Sequence, residues 1–161
     1  MSTPRFLTAA VAVLLSSACF HQKPAVEVST QDATLNTRWH ANLASPASLA
    51  GAVQINGSAS MAPSADSTST DITLDLANAA PGGLHPWAVH RGQCGTGTDY
   101  GVYGQREWYP ALTVGSDGRA NGVAAVQLRT PRTGSYFVVV YASAANAETV
   151  VACGNLAPPT Q

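Results

Sequence analysis

Charge is scarce in this chain. Only 11% of its 161 residues are charged, and the 8 lysines and arginines form no cluster. The basic patch that grips a phosphate backbone is missing, so nucleic acid is not an expected partner. Long apolar runs are missing as well. The one near the N-terminus falls well short of the ~20 residues that a membrane-spanning helix needs. No segment holds an apolar period of 3.6 long enough to read as a convincing helix. The 4 histidines and 3 cysteines are too few and too scattered to suggest a Ser/His/Asp or Cys/His nucleophile. What abounds is Ala, Ser, Thr and Gly, the texture of an exported β-domain with short polar turns.

Residues 1–18 read as an export signal. Arg5 supplies the positive end, residues 6–15 the apolar stretch, and Ser16, Ser17 and Ala18 a small-residue cleavage site. Cys19 follows at once. The run Leu-Ser-Ser-Ala-Cys resembles a bacterial lipobox, whose cysteine is lipidated and becomes the mature N-terminus, with Ser16 standing where that motif usually has leucine. The expectation is a signal peptide over 1–18, a lipoprotein tether over 19–32, a folded domain over 33–156 and a Pro-rich tail over 157–161. Cys19 would then hold the domain at a membrane of the cell envelope. The competing expectation is ordinary cleavage before an unmodified Cys19. Losing Arg5 with the signal leaves 7 basic residues against 9 acidic ones, a net charge of −2. With Cys19 at the terminus, Cys94 and Cys153 remain, and two leftover cysteines outside the cytosol usually pair.

The body of the chain reads as strands. Segments 33–43 and 48–61 carry weak patterns, the first anchored by Trp39, the second with Asn56-Gly57 as a hairpin turn or bulge. Thr70, Ile72, Leu74 and Leu76 alternate with Asp71, Thr73 and Asp75, which predicts a strand with one wet face. Further strands are expected over 84–91, 110–115, 121–128, 136–142 and 149–153, the one over 136–142 apolar throughout and so covered on both faces. Segment 95–105 is a Gly/Tyr-rich loop. About eight short strands separated by turn signals predict an all-β sandwich or flattened Greek-key barrel.

Residues 81–94 concentrate the candidate chemistry: His85, Trp87, His90 and Cys94 within one Pro-Gly-Gly-led strand. Alternation along a strand puts His85, Trp87 and Val89 on one face and Pro86, Ala88 and His90 on the other, so the two histidines cannot share one ion. Here the chain resembles the copper/zinc superoxide dismutases. Their Gly-Leu-His-Gly-Phe-His-Val-His-Glu stands against Gly83-Leu84-His85-Pro86-Trp87-Ala88-Val89-His90-Arg91. Their Leu-Thr-Val-Gly-Ala-Asp-Gly-Lys-Ala is similar to residues 112–120, and their closing Leu-Ala-Cys-Gly-Val-Ile to residues 151–156. The resemblance implies an eight-stranded Greek-key β-barrel over about residues 33–156 and a disulfide between Cys94 and Cys153.

The departures bear on function. Of two copper histidines, the resemblance keeps His90 and puts Ala88 at the other. A later copper histidine falls on Tyr141, and the active-site arginine on Val150. The zinc loop would fall on 95–110, which holds Asp99 and no histidine. His85 matches a histidine with a structural role. Copper that cycles between oxidation states needs several imidazoles, and one does not suffice. The expectation is therefore a dismutase-like domain with no catalytic metal and no cofactor, acting by binding or as structure toward an envelope protein or glycan. Two alternatives are a weak copper-dependent dismutase and a metal-binding module using His90, His85 or His40. His90 itself is expected to be a hydrogen-bonded surface histidine, with Tyr141 nearby in the relic-ligand alternative. Arg91, Arg106 and Glu107 are expected to be solvated. If a partner binds, the expected contact loop is 95–110, through Tyr100, Tyr103 and Trp108.

Overall fold

The computed structural model describes residues 37–52, 54–96 and 101–159. The signal segment, Cys19, the tether, Asp99 and Tyr100 lie outside the described residues. Nine strands are described: β1 (Trp39–Ala44), β2 (Asn56–Pro63), β3 (Thr70–Ala77), β4 (Leu84–His85), β5 (Trp87–Arg91), β6 (Leu112–Thr113), β7 (Ala120–Val126), β8 (Tyr136–Ser143) and β9 (Asn146–Leu156). Two short 3-10 turns, Ala47–Leu49 and Arg106–Trp108, are the helical elements among the described residues. The protein is all-β. Seven strands form one antiparallel sheet in the order β5-β8-β9-β1-β2-β3-β7, curled into a half-barrel. β4 and β6 form a separate ribbon, with β4 lying against β8 and β6 against β7.

The alternation read in β3 is kept. Thr70, Ile72, Leu74 and Leu76 are buried, while Asp71, Thr73 and Asp75 are exposed. β1 does the same with Trp39, Ala41 and Leu43, and β7 with Ala120, Gly122, Ala124 and Val126. The small residues of β7 have a packing cause. A Cβ at Gly122 would come within 2.6 Å of the Leu112 side chain and 3.1 Å of the Trp87 ring. The inner faces enclose one core, in which Trp39, Met61, Ile72, Leu74, Trp87, Val89, Val138 and Val140 are essentially inaccessible to water. β8 is buried on both faces, as its apolar run predicts. Val138 and Val140 join the main core, while Phe137, Val139 and Tyr141 build a second, smaller cluster with Val150, Cys94 and Cys153.

Two expectations about the strands are corrected. The second strand does not begin at residue 48. Pro46 leads into the 3-10 turn Ala47–Leu49, and β2 starts at Asn56. Asn56-Gly57 is therefore no hairpin turn. Gly57 pairs with Leu43 on one side and Leu76 on the other, and a Cβ there would overlap the backbone carbonyl of Asp75. Nor is 84–91 one continuous strand. Proline has no N–H to give to a ladder, and at Pro86 the chain changes partner. Leu84 and His85 pair with Thr113 and Leu112, and Trp87 onward pairs with β8.

Candidate functional site

A buried pair of polar side chains sits on the outer face of β5 and β8. His90 pairs with Phe137 across the two strands, and their rings lie 5.6 Å apart. Its Nε2 is 2.9 Å from the hydroxyl of Tyr141. A register shift after Val140 places Tyr141 opposite Val150 of β9. Both members of the His90–Tyr141 pair are only 2% exposed. The expected surface position of His90 is thus corrected: this imidazole is buried. The cause is non-local. The chain returns along the free edge of β5, where Val102 bridges to His90 and the Tyr103 N–H donates to the Val89 carbonyl at 2.8 Å. Arg106 is exposed, as expected, and covers the site from outside with its guanidinium 5.4 Å from the centre of the Tyr141 ring.

The electrostatics follow from this cover. Burial, and then the Arg106 charge, lower His90 from 6.5 to about 4. At neutral pH the ring is uncharged and shares a hydrogen bond with a phenol. Its Nδ1 is buried without a partner. A neutral imidazole beside a hydroxyl is the pairing used to activate a nucleophile. At 2% exposure for each, neither group is open to a substrate.

His85 reaches the same tyrosine from the other end. Its Nδ1 lies 2.9 Å from the Tyr141 carbonyl oxygen. A carbonyl only accepts, so Nδ1 is the donor in this contact. The His85 Nε2 is also buried without a partner, tucked against Gly83, where a Cβ would sit 2.8 Å away. The Tyr141 N–H completes the clasp by donating to the Pro86 carbonyl at 2.8 Å. The two histidines thus engage opposite ends of Tyr141. His40 is exposed on β1, where its backbone pairs with Ala157. Among the described residues no group of three or more His, Cys, Asp or Glu side chains is placed to hold a metal ion. At the position matched to the second copper histidine, Ala88 is fully buried opposite Val139.

Cys94 and Cys153 are joined by a disulfide, with Cα atoms 5.9 Å apart and a sequence separation of 59. It ties the segment after β5 to β9, and the Cys94 N–H donates to the Asn155 side-chain oxygen at 2.7 Å. Beside it opens a mostly apolar groove of about 440 Å³, lined by Phe137, Val139, Val150 and residues 44–47.

The expected contact loop fares differently residue by residue. Tyr103 is corrected: it is 3% exposed, its hydroxyl donating to the Arg129 carbonyl at 2.8 Å and lying 3.0 Å from the Thr70 hydroxyl. Trp108 is half-buried and packs on the main core, against Gly104. Neither offers a free aromatic face of the kind expected. Two buried residues were not singled out from sequence. Tyr109 stacks edge-on against Trp87 and donates to the Tyr103 carbonyl at 2.7 Å. Thr70 is fully buried and bonds to the Leu128 carbonyl at 2.7 Å. Its signal was present, as the one hydroxyl on the apolar face of β3.

A scan against protein-family models and a search of curated proteins both find no match to this chain.

Proposed function

We propose that this is an exported, lipid-anchored envelope protein whose β-domain is of copper/zinc superoxide dismutase-like type, works without catalytic metal, and acts by binding or as structure. The observation that carries the metal-free reading is the buried hydrogen bond between His90 and Tyr141. The resemblance puts copper ligands at His90, Ala88 and Tyr141. Of these, only His90 offers an imidazole, and its Nε2 is already engaged. Zinc needs about four donors, and the matched segment 95–110 contains no histidine. The residues present therefore do not fit either metal, and no redox step is drawn through this site.

The fold reading draws support from strand order. β9-β1-β2-β3-β7 run in succession, and the β4–β6 ribbon touches β7 at one end and β8 at the other. That order, with its long crossing from β3 to β7, suits a Greek-key barrel. The disulfide between Cys94 and Cys153 is also the one the resemblance implies. The metal-binding alternative has its own support in the unpartnered Nδ1 of His90 and Nε2 of His85.

The test is copper and zinc analysis of protein taken gently from the envelope fraction, with a dismutase assay after copper loading. Substoichiometric metal and activity no greater than that of free copper are expected. An equimolar content of copper with strong activity would replace this reading by the copper-enzyme alternative. The same preparation tests the anchor, because Cys19→Ala should move the protein to the soluble fraction. A wild type already soluble, with a free amino terminus, would remove the lipid from the account.

A further inference from the structure

A second groove, of about 690 Å³, is lined by residues of the segment 63–67 and the loop 129–132. Its lining carries both signs of charge. Arg129, Arg132 and Asp66 all contribute to it, and no ion pair joins them. The loop that carries the arginines is tied to the core by hydrogen bonds. Thr70 donates to the Leu128 carbonyl at 2.7 Å, Tyr103 to the Arg129 carbonyl at 2.8 Å, and the Trp39 indole to the Pro131 carbonyl at 2.9 Å. Three buried side chains of the core thus fix three residues of surface loop, while both arginines stay exposed. The Asp66 carboxylate is held in place as well. Its oxygens accept from the Ser64 hydroxyl at 2.7 Å and the Thr68 hydroxyl at 2.8 Å. These bonds lower Asp66 to about 2, so it stays ionised at any ordinary pH.

We propose that this groove binds a zwitterionic phosphoethanolamine group, with its phosphate on Arg129 and Arg132 and its ammonium on Asp66. Two separate guanidinium forks suit a tetrahedral phosphate, which accepts from more than one donor pair, better than a single carboxylate. The Asp66 anion disfavours a ligand with no positive end and accepts hydrogen bonds from a primary ammonium. Such a group comes either as a lipid headgroup or as a free phosphate ester. Thr37, on the tether side of β1, lines the same groove, so the groove sits beside the point where the chain would arrive from a membrane anchor. The inference deepens the binding reading by naming a ligand. Finding copper in the preparation would overturn the metal-free claim and leave this site untouched.

The experiment uses the mature chain with Cys19→Ala, so that no lipid of its own reaches a vesicle. Free phosphoethanolamine and phosphocholine are titrated by calorimetry, and vesicles with phosphatidylethanolamine are compared with vesicles of phosphatidylcholine alone. The ethanolamine form should bind about tenfold more tightly, because a quaternary ammonium has no N–H to give Asp66. Asp66→Asn should erase that preference. Arg129→Gln with Arg132→Gln should weaken both ligands by about tenfold or more. All three positions are exposed, so melting temperatures should hold, and these are measured alongside. Binding to the free ester assigns a soluble ligand, and binding to vesicles alone assigns the headgroup. No saturable binding of either form, or binding that the arginine pair does not affect, overturns the proposal.

Discussion

Reducing the Cys94–Cys153 disulfide, or replacing Cys94 with Ala, is expected to lower the folding stability by about 4 kcal/mol. The bond joins cysteines 59 positions apart in sequence. Without it the unfolded chain regains the freedom that closure removed, and the loss is large against the 5–15 kcal/mol that holds a typical domain together. The native contacts around the bond soften this only slightly. Phe137, Val139 and Val150 pack on the two sulfurs from one side, but the groove beside them is open. Denaturant titration of oxidised and reduced protein measures the difference. Coincident midpoints would show that the bond is incidental to the fold.

Acid is expected to weaken the protein through His90. Folded, the ring titrates at about 4, against 6.5 for an unperturbed imidazole. Between those values the unfolded chain binds a proton that the folded chain does not. The contribution of His90 is therefore complete above pH 6.5 and is lost as the pH falls toward 4. The shift corresponds to about 3 kcal/mol at most, and to about 2 kcal/mol after allowance for the solvent that reaches Arg106 and screens the ring. Protonation also strands a cation beneath the Arg106 guanidinium, with Tyr141 as its sole hydrogen-bond partner. Stability measured from pH 7 to pH 4 in wild type and in His90→Gln isolates this part from the carboxylates. Wild type should lose the additional amount in that window, and parallel curves would contradict the burial argument.

Much of the fold could be read from residues alone, because it rests on local alternation. Thr70 to Leu76 announces its buried face, and the unbroken apolar run from Tyr136 to Tyr141 announces a strand covered on both sides. What was not legible depends on contacts between distant segments. His90 reads as a surface residue until the chain at Val102 and Tyr103 is seen to return along the edge of β5. Tyr103 reads as a loop aromatic, yet its hydroxyl reaches Thr70 and Arg129, far away in sequence. Pro86 was in plain view, and its missing N–H could have warned that 84–91 would divide between two partners. The charged groove had no local signature at all. Asp66, Arg129 and Arg132 carry no motif, and their meeting follows from how β3 and the loop after β7 are clasped by Thr70.

The central claim is that Tyr141 occupies the imidazole a metal would need. Nitrogen NMR of the His90 ring at neutral pH, before and after equimolar zinc or copper, tests it most directly. The account predicts a neutral ring whose Nε2 signal is that of a hydrogen-bonded nitrogen, unmoved by the metal. A His90 signal that shifts with zinc or broadens with copper at equimolar addition would contradict it.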